Sequence, residues 1–432
     1  MHEMNMSAGG EGSMGNMNLD DTATMRPAVG RGSLIFAVIL TLLMLTVGIG
    51  LAARFGDLSM SSQGMSGSTI DTAGCGPGGQ CTAGNTTSQS GPCKTPSMPG
   101  MVMAGECTPT PAGGTGGMNM GGGGGHNMSP VDVTNAPAAD PNARGNQPLT
   151  YTLAAAGVKQ FELTASVIKW NILPDVQVGA YAYNGQVPGP EIRVTEGDKI
   201  RVIVHNHLPE PTSIHWHGLQ IPNNMDGVAD VTQPPIAAGG VFTYEYTVPN
   251  TPGSYFYHTH EDADRQQSLG LYGAYIIEAK NPTVKYDAEY TIMLNELRVV
   301  NGQTWPSMDF DGMLPNYFTI NGKSYPSTET IKVKQGQKVL LRFIGSGQFI
   351  HPMHLHGQPF KIVATDGNPV PEAAQLTKNT LLVGPGETYD VAFTARAPGK
   401  WLLHCHINHH ITNNGQEVQG GGGLTMIVEV AP

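Results

Sequence analysis

Two stretches of this chain align without a gap: Pro252-Gly253-Ser254-Tyr255-Phe256-Tyr257-His258-Thr259-His260 and Pro398-Gly399-Lys400-Trp401-Leu402-Leu403-His404-Cys405-His406. Each ends in a His-x-His pair, with Thr259 between the histidines of the first and Cys405 between those of the second. A further pair of segments repeats in the same way. Gly197 lies 18 residues before His215 and 20 before His217, and Gly336 lies 18 before His354 and 20 before His356. Histidines two apart on an extended strand point to the same face, so each pair presents two imidazoles together. Eight imidazoles from four pairs exceed what a mononuclear site needs and imply a metal cluster. The chain therefore has to fold as two copies of one framework, of which only the second has added a thiolate.

The matched motifs lie 139 and 146 residues apart, about the size of one β domain each. From residue 149 onward, short alternating runs are bounded by Gly and Pro. Residues 199–205, 242–248, 255–258 and 272–278 read as strands of the first unit. Residues 290–297, 338–344, 360–365, 389–394, 400–404 and 424–430 read as strands of the second. Regularly spaced short strands with turn signals between them predict an all-β protein of antiparallel sandwiches or barrels. Asn281-Pro282 is the natural break, giving domains at 149–281 and 282–432.

The first 148 residues have a different texture. They hold 15 of the 21 methionines and long runs of Gly, Ser, Thr and Pro, a composition that cannot bury enough apolar surface to offset the entropy of ordering. Residues 1–33 and 54–148 are therefore expected to be disordered. As a flexible tether, the second would reach roughly 50–60 Å. Between them, residues 34–53 carry no charge and as a helix would cross roughly 30 Å of hydrocarbon. Arg26 and Arg31 precede this segment and Arg54 follows. With the long tail ahead, it reads as a signal anchor that leaves the N-terminus cytoplasmic and exports the rest, a cleaved signal peptide being the alternative. Cys75, Cys81, Cys93 and Cys107 follow it. They suit disulfides in an oxidising compartment, or copper capture with Met98, Met101, Met103, Met118 and Met120 beside them. The net charge of -11 and the lack of a basic cluster exclude a nucleic-acid surface.

Taken together, His215-Trp216-His217-Gly218, His258-Thr259-His260, His351-Pro352-Met353-His354-Leu355-His356-Gly357 and His404-Cys405-His406 followed by His410 resemble the four copper motifs of the multicopper oxidase family. The resemblance covers residues 149–432, including Met225-Asp226-Gly227-Val228 and Gly270-Leu271-Tyr272-Gly273. It implies two cupredoxin-like Greek-key β-sandwich or barrel domains. It also implies four copper ions per functional unit. A type 1 copper would be held by His351, Cys405 and His410, a His₂Cys set suited to electron transfer. A type 2 copper would take His215 and His354, and a type 3 pair would take His217, His258, His260, His356, His404 and His406. Thr212 and Thr259 stand where the second repeat has His351 and Cys405, so the first domain supplies cluster ligands only. Asp226 matches a family acid that relays protons, although Asp-Gly also favours a turn for its own sake.

The family's usual axial position, five residues after the last type 1 histidine, is Gly415 here, in a loop about five residues longer than its twin. Leu424 and Met426 are the nearby alternatives. His205-Asn206-His207 has no counterpart in the second repeat and reads as structural. With only two domains, the chain is similar to the small-laccase branch, which implies a homotrimer with clusters at subunit interfaces. The implied activity couples one-electron oxidation of a small donor (a phenol, an aromatic amine or a metal ion such as Cu(I)) to reduction of O₂ to water. Copper nitrite reduction, and copper sequestration without turnover, are the competing readings.

Overall fold

The computed structural model describes residues 127–310, 312–418 and 420–432. The segment at 34–53, the Met-rich stretches and the four N-terminal cysteines lie outside the described residues. Among the described residues no helix is long and apolar enough to cross a membrane.

All ten strands expected from the sequence are present, with ends shifted by at most three residues. They sit in four sheets, two per domain, and the two domains repeat the same pairing. In the first, Lys159–Leu173 lies parallel to Lys199–Asn206, which runs antiparallel to Val241–Thr247. The facing sheet sets Gly189–Thr195 parallel to Tyr272–Glu278, then Gly253–His258 and His215–His217 antiparallel in turn. In the second domain, Ala288–Val300 lies parallel to Lys338–Gly345, followed by Thr388–Thr394 and Phe360–Thr365. Its facing sheet runs Ile331–Lys334, Thr425–Ala431, Gly399–Cys405, His351–Leu355 and Thr380–Val383. Antiparallel sheets were expected, yet each sheet takes in one parallel ladder. The chain leaves each sheet for the facing one and returns in the same direction, and period-two alternation carries no information about that crossover.

The alternation does set the core. Phe161, Ile200, Val202, Trp216, Tyr244, Tyr257 and Tyr275 fill the first sandwich, and Ile292, Leu341, Phe343, Met353, Leu403 and Val428 fill the second. A third cluster joins the domains, with Trp170, Phe256 and Tyr272 packed against Met293, Leu297 and Ile344. Each such side chain contributes about 1.5–3 kcal/mol on burial. Trp170 also donates its indole N–H to the Gly322 carbonyl at 2.7 Å. A Cβ at Gly322 would lie 1.9 Å from the Val187 carbonyl oxygen, so only glycine fits there. A buried ion pair reinforces the junction: Asp390 accepts from Ser254 of the first domain at 2.5 Å and from Arg342 at 2.7 Å. Both domain positions are thereby held from one chain.

Residues 127–148, expected to be part of a loose tether, are instead bound to the body. Val131 is buried in the first core and donates its N–H to Thr304. Ala138 and Pro148 bridge to Lys169 and Glu191. The buried Arg265 guanidinium donates to the carbonyls of Asn127 and Ser129. These backbone bonds replace the periodic apolar pattern that would have marked an ordered segment, so composition alone reads the arm as loose.

Candidate metal centres

The strands Gly399–Cys405 and His351–Leu355 pair with Cys405 opposite Met353 and His404 opposite His354. Successive side chains alternate faces, so His351, Met353 and Cys405 turn into the second core while His354 and His404 turn out of it. His410 arrives from the short 3₁₀ turn Asn408–Ile411. The donor atoms of His351, Cys405 and His410 lie within 4.8 Å of one another. His351 Nδ1 is 3.2 Å from His410 Nδ1, and Cys405 Sγ is 3.6 Å from His410 Nδ1. All three are buried, and Phe318 stacks on the His410 ring at 4.2 Å.

Burial pushes the Cys405 thiol up to about 11 and the His410 imidazole down to about 3. Without metal Cys405 and His410 are therefore neutral at physiological pH, and a copper ion entering the group would displace the thiol proton. The Leu424 backbone brackets this group, donating to the His410 carbonyl and accepting from Cys405 N–H. Leu424 lies opposite Cys405, whereas Met426 pairs with Leu403 further along the strand. Gly415 sits apart in a tight turn at φ +74°.

The outward imidazoles form two sets. In the first domain, His215 pairs with His258 across the strands, and the donor atoms of His215, His217 and His258 lie within 4.8 Å of one another. His260 stands at the exposed rim, its ring 5.6 Å from that of His215. In the second domain, the rings of His354, His356, His404 and His406 lie 4.8–5.8 Å apart. His406 is the exposed member of that set.

Four of these rings are fixed by one device. Nδ1 of His215, His258, His354 and His404 lies 2.7–2.9 Å from the carbonyl oxygens of Asp226, Thr259, Asn379 and Cys405. A carbonyl only accepts, so Nδ1 carries the proton and Nε2 keeps its lone pair for a metal. The His356 and His404 Nε2 atoms stand 3.0 Å apart, a spacing that suits a shared cation or proton. Asp226 is held beside His215 by the following turn, because a Cβ at Gly227 would collide with the Ile214 carbonyl. Its carboxylate lies 3.5 Å from His215 Nδ1. Among the described residues, no ring contact joins a histidine of the first set to one of the second.

The position of the first domain corresponding to the thiolate group is filled by hydrogen bonds. Thr212 and Thr259 both donate to Gln266 Oε1, at 2.8 and 2.9 Å, and all three residues are buried. Gln266 was not singled out in the sequence, because it reaches the site from the short helix Ala263–Gln266, in a loop shorter than its twin in the second domain. Glu296 was missed as well. It lies in the strand Ala288–Val300, far from any histidine motif, yet its carboxylate stands 3.3 Å from His351 Nε2. His205 and His207 remain outside both sets, and Glu162 lies 3.5 Å from His205.

Two repeated β domains with one buried His₂Cys group and two outward histidine sets define a multi-site metalloprotein. Residues 164–282 and 297–415 each match the multicopper oxidase family, and the chain belongs to that family. A blue copper oxidase from Nitrosomonas europaea is 34% identical, with a TM-score of 0.57, over 63% of this chain and 85% of that one. A multicopper oxidase of Mycobacterium tuberculosis is 32% identical over 50% of this chain and 48% of its own length. Copper resistance protein A of Pseudomonas syringae pv. tomato is 32% identical over 49% and 42%. The chain spans about half the length of the curated relatives it matches. Family membership implies copper as the cofactor, and the thiolate and imidazole donors fit it.

The buried imidazoles make the metal-free protein sensitive to acid. Burial lowers His258 and His410 from 6.5 to about 3 and shifts His217, His356 and His404 in the same direction. The folded state then binds fewer protons than the unfolded one. Stability is present above about pH 6.5 and is lost as pH falls toward 3, at about 1.4 kcal/mol per unit for each of His258 and His410. Denaturant titration of the metal-free protein should show a loss on the order of 2–4 kcal/mol between pH 7 and 5. An unchanged midpoint would mean that these rings are not held neutral.

Proposed function

We propose that this protein is a copper oxidase that withdraws single electrons from a small donor and delivers them to O₂, giving water. The observation that carries this reading is the strand pair around Cys405, whose sulfur faces the buried group while His404 and His406 flank it in sequence. An electron taken up at the thiolate has only a few covalent bonds to cross before it reaches the outward imidazoles. We assign the type 1 copper to His351, Cys405 and His410, and the type 2 copper to His215 and His354. His217, His258, His260, His356, His404 and His406 hold the type 3 pair. When bound, copper supplies the one-electron redox steps and the site at which O₂ is reduced. Asp226, beside His215, is placed to hand protons to the site.

The active form in this reading is a homotrimer. Each histidine set is half of what a cluster needs, and the two sets of one chain do not touch. Apolar side chains lie exposed near both: Val231, 80% exposed, just after Asp226-Gly227, and Leu382, 52% exposed, paired with Pro352 on the strand that carries His354. Head-to-tail contact between the first domain of one copy and the second of the next would cover these patches and close a ring. Residues 34–53 would anchor the assembly in a membrane with its catalytic domains on the extracytoplasmic side.

Oxygen uptake by the copper-loaded protein tests the reading against phenolic, Cu(I), Fe(II) and Mn(II) donors. The expected result is an intense blue absorption and consumption of one O₂ for every four donor electrons. Stoichiometric copper without oxygen uptake would instead identify a sequestration protein.

A further inference from the structure

The buried His₂Cys group has a partner that none of the copper motifs contains. Glu296 is wholly buried, with 0% of its surface exposed. One carboxylate oxygen, Oε2, lies 3.3 Å from His351 Nε2, and the other accepts a short hydrogen bond from the Gln348 N–H. The space it occupies is left by Gly347, where a Cβ would lie 2.2 Å from Oε2. Burial, with the Glu296 charge adding to it, pushes up the phenol of Tyr272 from the first domain. The geometry is the reverse of that in the outward sets. There, backbone carbonyls hold Nδ1 and leave Nε2 for metal; here the carboxylate holds Nε2 and leaves His351 Nδ1 facing His410 Nδ1 at 3.2 Å.

We infer that Glu296 is a positioning residue for the electron-accepting copper: its carboxylate fixes the His351 ring so that Nδ1 ligates, and places a negative charge beside the metal that favours the oxidised ion. The inference rests on the assignment of the type 1 copper to His351, Cys405 and His410. Carboxylate–histidine–metal arrangements orient the ring and raise ligand basicity. The backbone carbonyls elsewhere in this protein do the first of these without adding a full charge. A carboxylate buried beside one ligand therefore sets that ligand apart, and its removal should be read in the potential of the copper rather than in the fold. Full burial leaves the carboxylate few other partners, so its charge acts on His351 with little screening.

The test compares Glu296→Gln and Glu296→Asp in the full copper-loaded protein. The amide of the Gln variant can still accept from Nε2–H but carries no charge; the Asp variant keeps the charge on a shorter arm. Redox titration of the blue band should show the Gln variant shifted at least tenfold toward the reduced copper, which is about 59 mV for a one-electron couple. The Asp variant should stay nearer to the parent, and both should keep the blue band with altered copper hyperfine splitting in EPR. A Gln variant that is folded by circular dichroism but takes up no blue copper, beside an Asp variant that does, would carry the same conclusion. Equal potentials in parent and Gln variant would overturn it, as would equal shifts in both variants or failure of both to fold, since these mark a merely structural residue. Absence of a blue band in the parent would instead sink the type 1 assignment, and this inference with it.

Discussion

Replacing Cys405 with serine should abolish the blue absorption, reduce oxygen uptake to background and lower the copper content by one ion per chain, with the outward histidine sites still loaded. The substitution removes little bulk from a wholly buried position at the end of a strand. The strand register, opposite Met353 and next to Leu424, rests on backbone bonds that serine leaves intact. The sulfur is a different matter. Burial holds the free thiol near 11, and a serine hydroxyl, less acidic still, is not deprotonated for a copper ion in the same pocket. The soft ligand that selects the metal and the entry point of electrons are lost in one step. Optical and EPR spectra, copper analysis and oxygen uptake on one preparation decide the matter. A variant that kept its turnover would show that electrons enter elsewhere, and one that also lost copper from the outward sites would show that Cys405 holds the fold of both.

The chemistry-bearing residues were legible in the sequence because their geometry is local. A His-x-His pair on an extended strand fixes a common face whatever the rest of the chain does, and duplication removes the ambiguity of a single match. Glu296 and Gln266 were not legible for the opposite reason. Each reaches its site across a tertiary contact, Glu296 toward His351 from a strand 55 residues away and Gln266 toward Thr212 across 54 residues. No periodicity announces a partner at that distance. The strands Lys159–Leu173 and Val176–Tyr183 went unread because their faces are buried on both sides in part, under the first core and the domain junction, so apolar and polar residues do not alternate cleanly. The arm over residues 127–148 was hidden by composition: its hold on the body comes from backbone carbonyls and a buried arginine more than from apolar side chains. Thr212 and Thr259 stand in the sequence at the positions where the second repeat has His351 and Cys405. What fills that position, a shared hydrogen-bond acceptor on Gln266, needed the fold to be seen.

Separation of the two histidine sets leads to the second large effect. A His217→Ala/His260→Ala variant and a His356→Ala/His406→Ala variant should each be inactive alone, and their coexpression should restore about a quarter of the parent activity per chain. The replaced side chains are exposed or half-buried, so the domains should still fold. In a ring whose clusters form between the first domain of one copy and the second of the next, each interface draws its two halves from different chains. Random mixing pairs an intact first domain with an intact second domain at about one interface in four. The blue centre proposed for His351, Cys405 and His410, all of the second domain, is untouched in the first variant and should keep its absorption there, which separates failure of the cluster from failure to fold. Affinity tags of two kinds on the two variants would isolate the mixed assemblies, in which the restored activity must reside. If each cluster formed within one chain, no mixture could regain activity, because every chain would carry a broken half. Zero recovery from mixed assemblies that are shown to contain both variants and full blue copper would therefore overturn the interfacial site, whereas recovery near a quarter cannot arise from clusters confined to single chains.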